Sequence, residues 1–589
     1  MMKKIFIALL TVIIVTGCKK NLLDTSPYSS VASATMWTTD NFTDLGVTGV
    51  YQALRLGENA SGDSELELYM FDRFAYTGQY RSQESMLSGT ITTGNSLFSS
   101  TWQNLYEGVQ RANDAIKNIP LKSPSDAAKK SRYVAECKFL RAYFYLRLNQ
   151  LWKGVPIYLE PFTAEEATKP RSTETEVWNQ VVADLTAAIN EPALPQIYAA
   201  GAANYGHVTK GGAYALRGKA YMYLKKWDLA AADFNMVKSA GYALYSNYTN
   251  LFKAANEQCS EMIFSIQNVA VAGGGTAGYG STTQWFCGTR SSFGSCWNQY
   301  LVSPNLVDLY QNLDGSTFNW DTVLPGYSSL TPAQREVFFL RNNLTAAEIT
   351  AATTRGAAMN LYLPTGNEER ILKAYANRDP RLAANVITPY STYNGAYNSL
   401  NATVTSRWPY RAEAALGGDL RTDTQSYFYY LYRKFVYEGI SETINRAYGP
   451  TDFPIIRYAD VLLMWAEALN EQGSTSDAVA KVNEVRARAG VGLLNSSAAT
   501  AVAGQDDLRE RIRNERRVEF PNEGINYFDE LRWKSWKDKV FYAGNGVKQV
   551  WGANVYTYSF QGDYIYNWPI PLVETQRNPN LKQNDGWIN

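Results

Sequence analysis

The stretch that most constrains this chain is Arg457 to Ala489, RYADVLLMWAEALNEQGSTSDAVAKVNEVRARA. Its apolar residues recur at helical spacing: Leu462, Leu463, Ala466 and Leu469 share one face, and Ala478, Val482 and Val485 share another. Gly473 and Ser474 interrupt the pattern, which predicts two helices joined by a tight turn, with Ser476 or Asp477 capping the second. An earlier segment repeats the arrangement at the same offsets, with Gly218, Tyr221, Ala230, Phe234 and Val237 standing where Ala466, Leu469, Ala478, Val482 and Val485 stand later. Small residues let two helices approach and large ones fill the groove between them, as in a tetratricopeptide-type hairpin. Such a hairpin leaves an open apolar face, so the chain must supply neighbours for it.

More helices are predicted over Asp40–Leu56, Trp102–Ile119, Ser125–Leu148 and Thr175–Ile189. The repeat itself implies Thr209–Leu224 with Trp227–Ser239. Residues 241–450 have a different character, rich in Gly, Ser, Thr, Asn and Tyr, with only short helical pieces such as Pro304–Tyr310 and Thr345–Thr354. The expected organisation is mostly α: a helical scaffold of four hairpin units over 36–240 and 451–589, with a loop-rich lobe over 241–450 inserted in it. Asp506–Phe520 reads as a charged helix. Its five arginines (509, 511, 513, 516, 517) are expected on a solvated face, with Glu510/Asn514 or Arg511/Glu515 one turn apart outside. The Pro-rich end, Tyr566–Asn589, reads as an extended strap.

The N-terminus bears on location. Lys3 and Lys4 precede an apolar run, Ile5–Val15, too short to span a bilayer, and Val15-Thr16-Gly17-Cys18 follows. This resembles a bacterial lipoprotein signal over residues 1–17, with Cys18 the lipidated first residue and 18–35 a tether. Loss of residues 1–17 removes two lysines and takes the formal net charge from +1 to −1. A near-neutral chain argues against a nucleic-acid partner.

Chemistry is sparse. One histidine (His207), five cysteines and no CxxC or Cys/His cluster exclude zinc sites and His-based catalysis, and neither metal nor cofactor is expected. No Gly-x-Ser-x-Gly elbow and no phosphate-binding glycine loop is present. Carboxylates that a glycosidase could use, such as Asp314, Asp379 and Asp419, stand in no distinguishing motif. Cys137 is expected to be a buried thiol, whereas Cys287 and Cys296, nine apart in a Gly/Ser-rich segment, could close a disulfide loop.

Aromatic residues make up 13% of the chain and concentrate at 279–300, YGSTTQWFCGTRSSFGSCWNQY. Sugar rings offer apolar CH faces and a rim of hydroxyls, so their sites need flat side chains beside short polar groups or arginine. Trp285, Phe286, Arg290, Trp297 and Tyr300 fit that need.

Several fragments carry a resemblance. Cys18 is followed by Asn21-Leu22-Leu23-Asp24, then come LWKGVPI (151–157), NRDPRL (377–382), PIIRYADVLLMWAEALNE (454–471), IRNERRVEFPNEGINYFDELRW (512–533) and YNWPIPLVETQRNPNLKQNDGW (566–587). In type and order they resemble the SusD/RagB family of outer-membrane nutrient-binding lipoproteins of Bacteroidetes. The resemblance implies a non-enzymatic, lipid-anchored protein facing the cell exterior, built on four tetratricopeptide-like units. It also implies an oligosaccharide ligand delivered to a SusC-like TonB-dependent transporter; an oligopeptide ligand on the same scaffold is the alternative. It places a second candidate contact stretch at Tyr76 to Arg81, with Tyr76, Tyr80 and Arg81 as the residues. The C-terminal motifs are implied to stabilise the fold.

Overall fold

The computed structural model describes residues 33–56, 68–271, 279–411, 418–443 and 445–588. The signal segment and Cys18 lie outside the described residues, as does most of the tether. Among the described residues no helix is long and apolar enough to cross a membrane.

The architecture is mostly helical. Ten helices carry it: α1 (Asp40–Gln52), α2 (Ser96–Lys122), α3 (Ala127–Trp152), α4 (Glu174–Asn190), α5 (Lys210–Tyr223), α6 (Trp227–Ser239), α7 (Tyr458–Glu471), α8 (Thr475–Ala489), α9 (Gln505–Glu519) and α10 (Asn526–Trp533). The starts of α1 to α5 are set by side chains that satisfy free backbone N–H groups: Thr39 caps α1, Asn95 caps α2, Asp126 caps α3, Thr209 caps α5, and Thr173 with Glu176 forms a reciprocal box on α4. Each of α2 to α6 packs on the next, and α6 then packs on α7 although more than two hundred residues separate them in the chain. At Gly218 a Cβ would come within 2.5 Å of the Phe234 ring, so only glycine lets α5 and α6 approach this closely. At the later turn, Gly473 has φ +84° and ends α7. The expected cap is corrected, because α8 begins one residue after Ser474, whose side chain makes no capping bond.

Between α6 and α7 the chain forms short helices and small antiparallel ladders, one of them completed by a strand from the segment before α2. β1 (Gly78–Tyr80) pairs with β3 (Tyr300–Val302), β2 (Met262–Ile266) with β8 (Phe453–Arg457), and β4 (Val386–Ile387) with β7 (Leu431–Tyr432). β5 (Thr392–Tyr397) and β6 (Leu400–Thr405) form a hairpin whose turn residues Asn398 and Ser399 both have positive φ, the geometry that two-residue hairpins require. The β2–β8 pair ties this region directly to the start of α7.

The motif fragments meet in a buried ion network. Arg457, fully buried, donates to Glu261 (2.7 Å), Glu519 (2.7 Å) and Glu523 (2.8 Å). Arg381 reaches Asp379 (2.7 Å), Glu515 (2.7 Å) and Glu519 (2.9 Å). Arg488 also pairs with Glu519, and Arg516 bridges Asp460 (2.7 Å) and Asp529 (2.6 Å). The reading of α9 as a solvated arginine face is therefore corrected for two of its five arginines. Arg516 and Arg517 are fully buried because they point toward α7 and α10, while Arg509, Arg511 and Arg513 pair near the surface with Asp506, Asp507 and Glu510. Glu515 likewise turns inward to Arg486 and Arg381 and does not pair with Arg511.

One member of the network yields a pH prediction. Burial raises the Asp460 carboxyl, but Lys219 (3.0 Å) and Arg516 outweigh it and push the pKa down to about 2, against 3.8 for an ordinary Asp. A depressed folded-state pKa stabilises the fold above the unfolded value, and that contribution is lost as pH falls from about 4 toward 2. Asp460→Asn is therefore expected to lower the urea midpoint markedly at pH 7, with the gap to wild type narrowing as pH drops below 4.

Candidate functional site

The 279–300 stretch folds back on itself through backbone hydrogen bonds. After a one-turn helix, Thr283–Cys287, the N–H groups of Cys296, Trp297, Asn298 and Gln299 donate to the carbonyls of Thr289 (2.9 Å), Trp285 (2.8 Å), Gly288 (2.7 Å) and Phe286 (2.7 Å). These bonds close the loop that a Cys287–Cys296 disulfide could have closed, and that possibility is corrected: the two form no disulfide. Cys287 Sγ turns inward toward Asn522 Oδ1 (3.5 Å) and Cys296 Sγ toward the Phe293 carbonyl (3.4 Å). Burial pushes the Cys296 thiol up to about 12, against the opposing influence of Arg446 and Arg290. Cys137 is a buried free thiol in α3.

The rings of this loop lie largely against one another. Trp285 stacks on Phe286 (centroids 5.3 Å apart, 12° between planes), and Trp297 tilts across both at 4.8 and 5.8 Å. Phe286 (1% exposed) and Tyr300 (4%) are interior, Trp285 keeps 8%, and Trp297 is half-buried. The Arg446 guanidinium covers Trp285 at 4.8 Å and Trp297 at 5.8 Å.

Pairing of β1 with β3 brings the second candidate stretch alongside the first. Arg81 N–H donates to Gln299 O (2.8 Å), and the Tyr80 and Tyr300 rings lie 5.5 Å apart. Arg81 Nη1 donates to the Trp297 carbonyl (2.7 Å) and also meets the Asp423 carboxylate, which accepts from Arg290 Nε on its other oxygen (2.6 Å). Burial raises Asp423, but hydrogen bonds from Arg81 and Arg290 dominate and hold it below the usual range. Asn298 Oδ1 accepts from the Asp423 backbone N–H (2.8 Å), which fixes the register between the two segments. Gly395 permits the hairpin β5–β6 to close from the side: a Cβ there would fall 2.2 Å from Ser291 O, the carbonyl that accepts from Ala396 N–H.

Two separately chosen stretches thus form one surface around Trp297, Tyr80, Arg81 and Arg290. Tyr76 does not join it. Its backbone N–H meets the Glu530 carboxylate (3.2 Å) and its ring faces Arg517, on the side of the motif helices. Sequence reasoning missed Asp423, Arg446 and Tyr427, the last 39% exposed and 6.0 Å ring to ring from Tyr429. The aromatic run Tyr427–Tyr430 was a usable signal for that segment. Nothing in the sequence links Asp423 to an arginine 342 positions earlier.

The weighed catalytic carboxylates are occupied. Asp379 pairs with Arg381, Asp419 with Arg341 (2.7 Å) and Arg407 (3.1 Å), and Asp314 accepts from Ser316 (2.7 Å). Among the described residues no group of three or more His, Cys, Asp or Glu is placed to hold a metal ion.

Comparison with known proteins gives a consistent picture. A family model described as "SusD family" matches residues 260–587, and one described as "Starch-binding associating with outer membrane" matches residues 21–222. The chain is 25% identical to "SusD-like protein P38" of Formosa agariphila, over 98% of this chain and 97% of the relative. It is 24% identical to "Starch-binding protein SusD" of Bacteroides thetaiotaomicron, over 78% and 74%. Among solved structures, a SusD-like carbohydrate-binding protein of Bacteroides fragilis superposes with TM-score 0.72 at 23% identity, covering 93% of this chain and 100% of that one. A laminarin-binding SusD-like protein gives TM-score 0.64 at 21% identity, covering 94% and 100%.

Proposed function

The chain belongs to the SusD family, and from that premise we propose that it is a cell-surface lipoprotein, anchored through Cys18, that binds an oligosaccharide without altering it. It would deliver that ligand to a SusC-like TonB-dependent transporter in the outer membrane. The helix pairs are read as tetratricopeptide-like units that hold the loop-rich 241–450 lobe outward. The observation that carries the binding reading is the surface made where β1 meets β3. The half-buried Trp297 ring and Tyr80 lie there beside Arg81 and Arg290, flat apolar faces flanked by fixed donors. That is the combination a sugar ring needs. Phe286 and Tyr300 would act beneath it, as the packed floor that keeps Trp297 in place. Named carbohydrate ligands of two relatives, starch and laminarin, favour the same class.

The test is glycan-array screening of the mature protein followed by isothermal titration. Binding to at least one saccharide is expected, weakened about tenfold or more by Trp297→Ala, the equivalent of roughly 1.4 kcal/mol of contact energy. Binding confined to oligopeptides would replace the sugar reading with the peptide one. Binding to neither would remove it.

A further inference from the structure

The surface around Trp297 carries more positive charge than its own carboxylate neutralises. Three guanidinium groups are fixed to a few residues of one loop. Arg81 binds the Trp297 carbonyl (2.7 Å), Arg290 the Ser295 carbonyl (3.2 Å), and Arg446 the carbonyls of Gly294 (2.7 Å) and Ser295 (2.6 Å). Asp423 is the one carboxylate they meet among the described residues, and it serves only Arg81 and Arg290. Acids on the adjoining segments are committed elsewhere: Glu84 to Arg73 (3.1 Å), Glu438 to Arg433 and Glu442 to Lys253 (2.8 Å). Underneath, Trp285 Nε1 and Asn298 Nδ2 are buried donors with no acceptor among the described residues, so the local excess is of donors as well as of charge.

A neutral saccharide gives and accepts hydrogen bonds about equally and has no use for this field. A carboxylate or sulfate ester is planar or trigonal in its acceptor oxygens and matches the arginine fork, with charge-assisted bonds roughly twice as strong as neutral ones. Holding Arg446 against two indole rings and on two backbone carbonyls, and Arg81 and Arg290 on a shared carboxylate, also fixes these side chains in advance, which lowers the ordering cost of binding.

Building on the glycan-binding reading, we infer that the preferred ligand is an anionic saccharide, one carrying uronate or sulfate groups, with its charge set among Arg81, Arg290 and Arg446 beside Trp297.

The experiment uses the mature protein on an array of neutral polysaccharides (starch, galactomannan, arabinoxylan) and anionic ones (homogalacturonan and alginate for carboxylate; carrageenan and chondroitin sulfate for sulfate ester), then titration with oligosaccharides of the best binder. Binding to an anionic member is expected, weakening about tenfold or more between about 50 and 300 mM NaCl as screening shortens the reach of the field. Arg446→Gln and Arg290→Gln are each expected to weaken it about tenfold, and Arg446→Lys, which keeps the charge but loses the planar fork, by an intermediate amount. The carboxylate and sulfate arms tell the two anion types apart. If the protein instead binds a neutral polysaccharide, with loss in Trp297→Ala and no loss in either Gln variant, the anionic preference is overturned while glycan binding stands. Anionic binding insensitive to salt overturns it too, and that measurement needs no variant to fold. If no saccharide binds, the functional reading fails and takes this inference with it.

Discussion

Arg457→Met is expected to destabilise the protein by about 3–5 kcal/mol, the usual cost of removing one partner from a buried ion pair. The side chain has no exposure and its five N–H donors are spent on three carboxylates and the Glu519 carbonyl. Removing it leaves Glu261, Glu519 and Glu523 buried with one fewer cation. Glu519, whose carboxyl burial raises but Arg488, Arg457 and Arg381 hold far below the ordinary range, would lose one of its three arginines. The loss is large because the same buried carboxylates must share one positive charge fewer, although each keeps another cation: Arg488 on Glu261, Arg381 and Arg488 on Glu519, Lys434 on Glu523. The urea midpoint is the readout, compared with Arg509→Met. Arg509 pairs near the surface with Glu471 and Asp506, so its replacement is expected to cost only about 0–1 kcal/mol. Equal effects from the two would contradict the importance of the network.

Trp568→Ala should cost a similar amount, about 3–5 kcal/mol, by a different mechanism. Trp568 is fully buried where the C-terminal strap crosses the helices, with ring centroids 5.1 Å from Phe98, 5.5 Å from Trp152 and 5.9 Å from Phe71. Its Nε1 donates to Tyr527 OH (3.1 Å), and Trp152 Nε1 in turn donates to the Pro569 carbonyl (2.7 Å). Truncation leaves a large cavity between rigid elements that cannot close over it. The effect should reach function, because Phe71 belongs to the turn Leu68–Phe74 that leads into β1 and so to Tyr80 and Arg81. Saccharide binding at a temperature well below the melting point is therefore expected to weaken in Trp568→Ala, whereas Trp568→Phe should restore most of both stability and binding. Intact binding in a strongly destabilised alanine variant would show that the strap supports the scaffold alone.

The helices were legible because their signal is local. Apolar spacing, a capping Thr or Asp and a stopping Gly lie within a few residues of each other, and α5 to α8 fall within a residue or two of where spacing puts them. The motif fragments were legible as a set, but their physical role was not. Arg457, Glu519 and Glu523 read as ordinary charged residues until β8 and α9 are placed side by side. The same holds for Arg516 and Arg517, indistinguishable in sequence from Arg509, Arg511 and Arg513 yet buried because they stand at the end of α9 that packs against Asp460, Asp529 and Glu530.

At the candidate site the division is sharper. Composition marked 279–300 as aromatic and polar, and the resemblance marked Tyr76 to Arg81. Neither could say that Phe286 and Tyr300 go inward, that Tyr76 faces α10, or that backbone hydrogen bonds would close the loop without a disulfide.

By itself, then, the sequence determined the helical repeat, the N-terminal signal pattern and the aromatic stretch, since each is written in residues close together in the chain. Only the tertiary structure decided which rings face outward, which arginines are buried and which carboxylate joins Arg81 to Arg290. Those outcomes depend on pairings between residues tens to hundreds of positions apart, such as β1 with β3 and α6 with α7. A side chain's exposure and charge environment are set by whatever packs against it, and no local pattern encodes that neighbour.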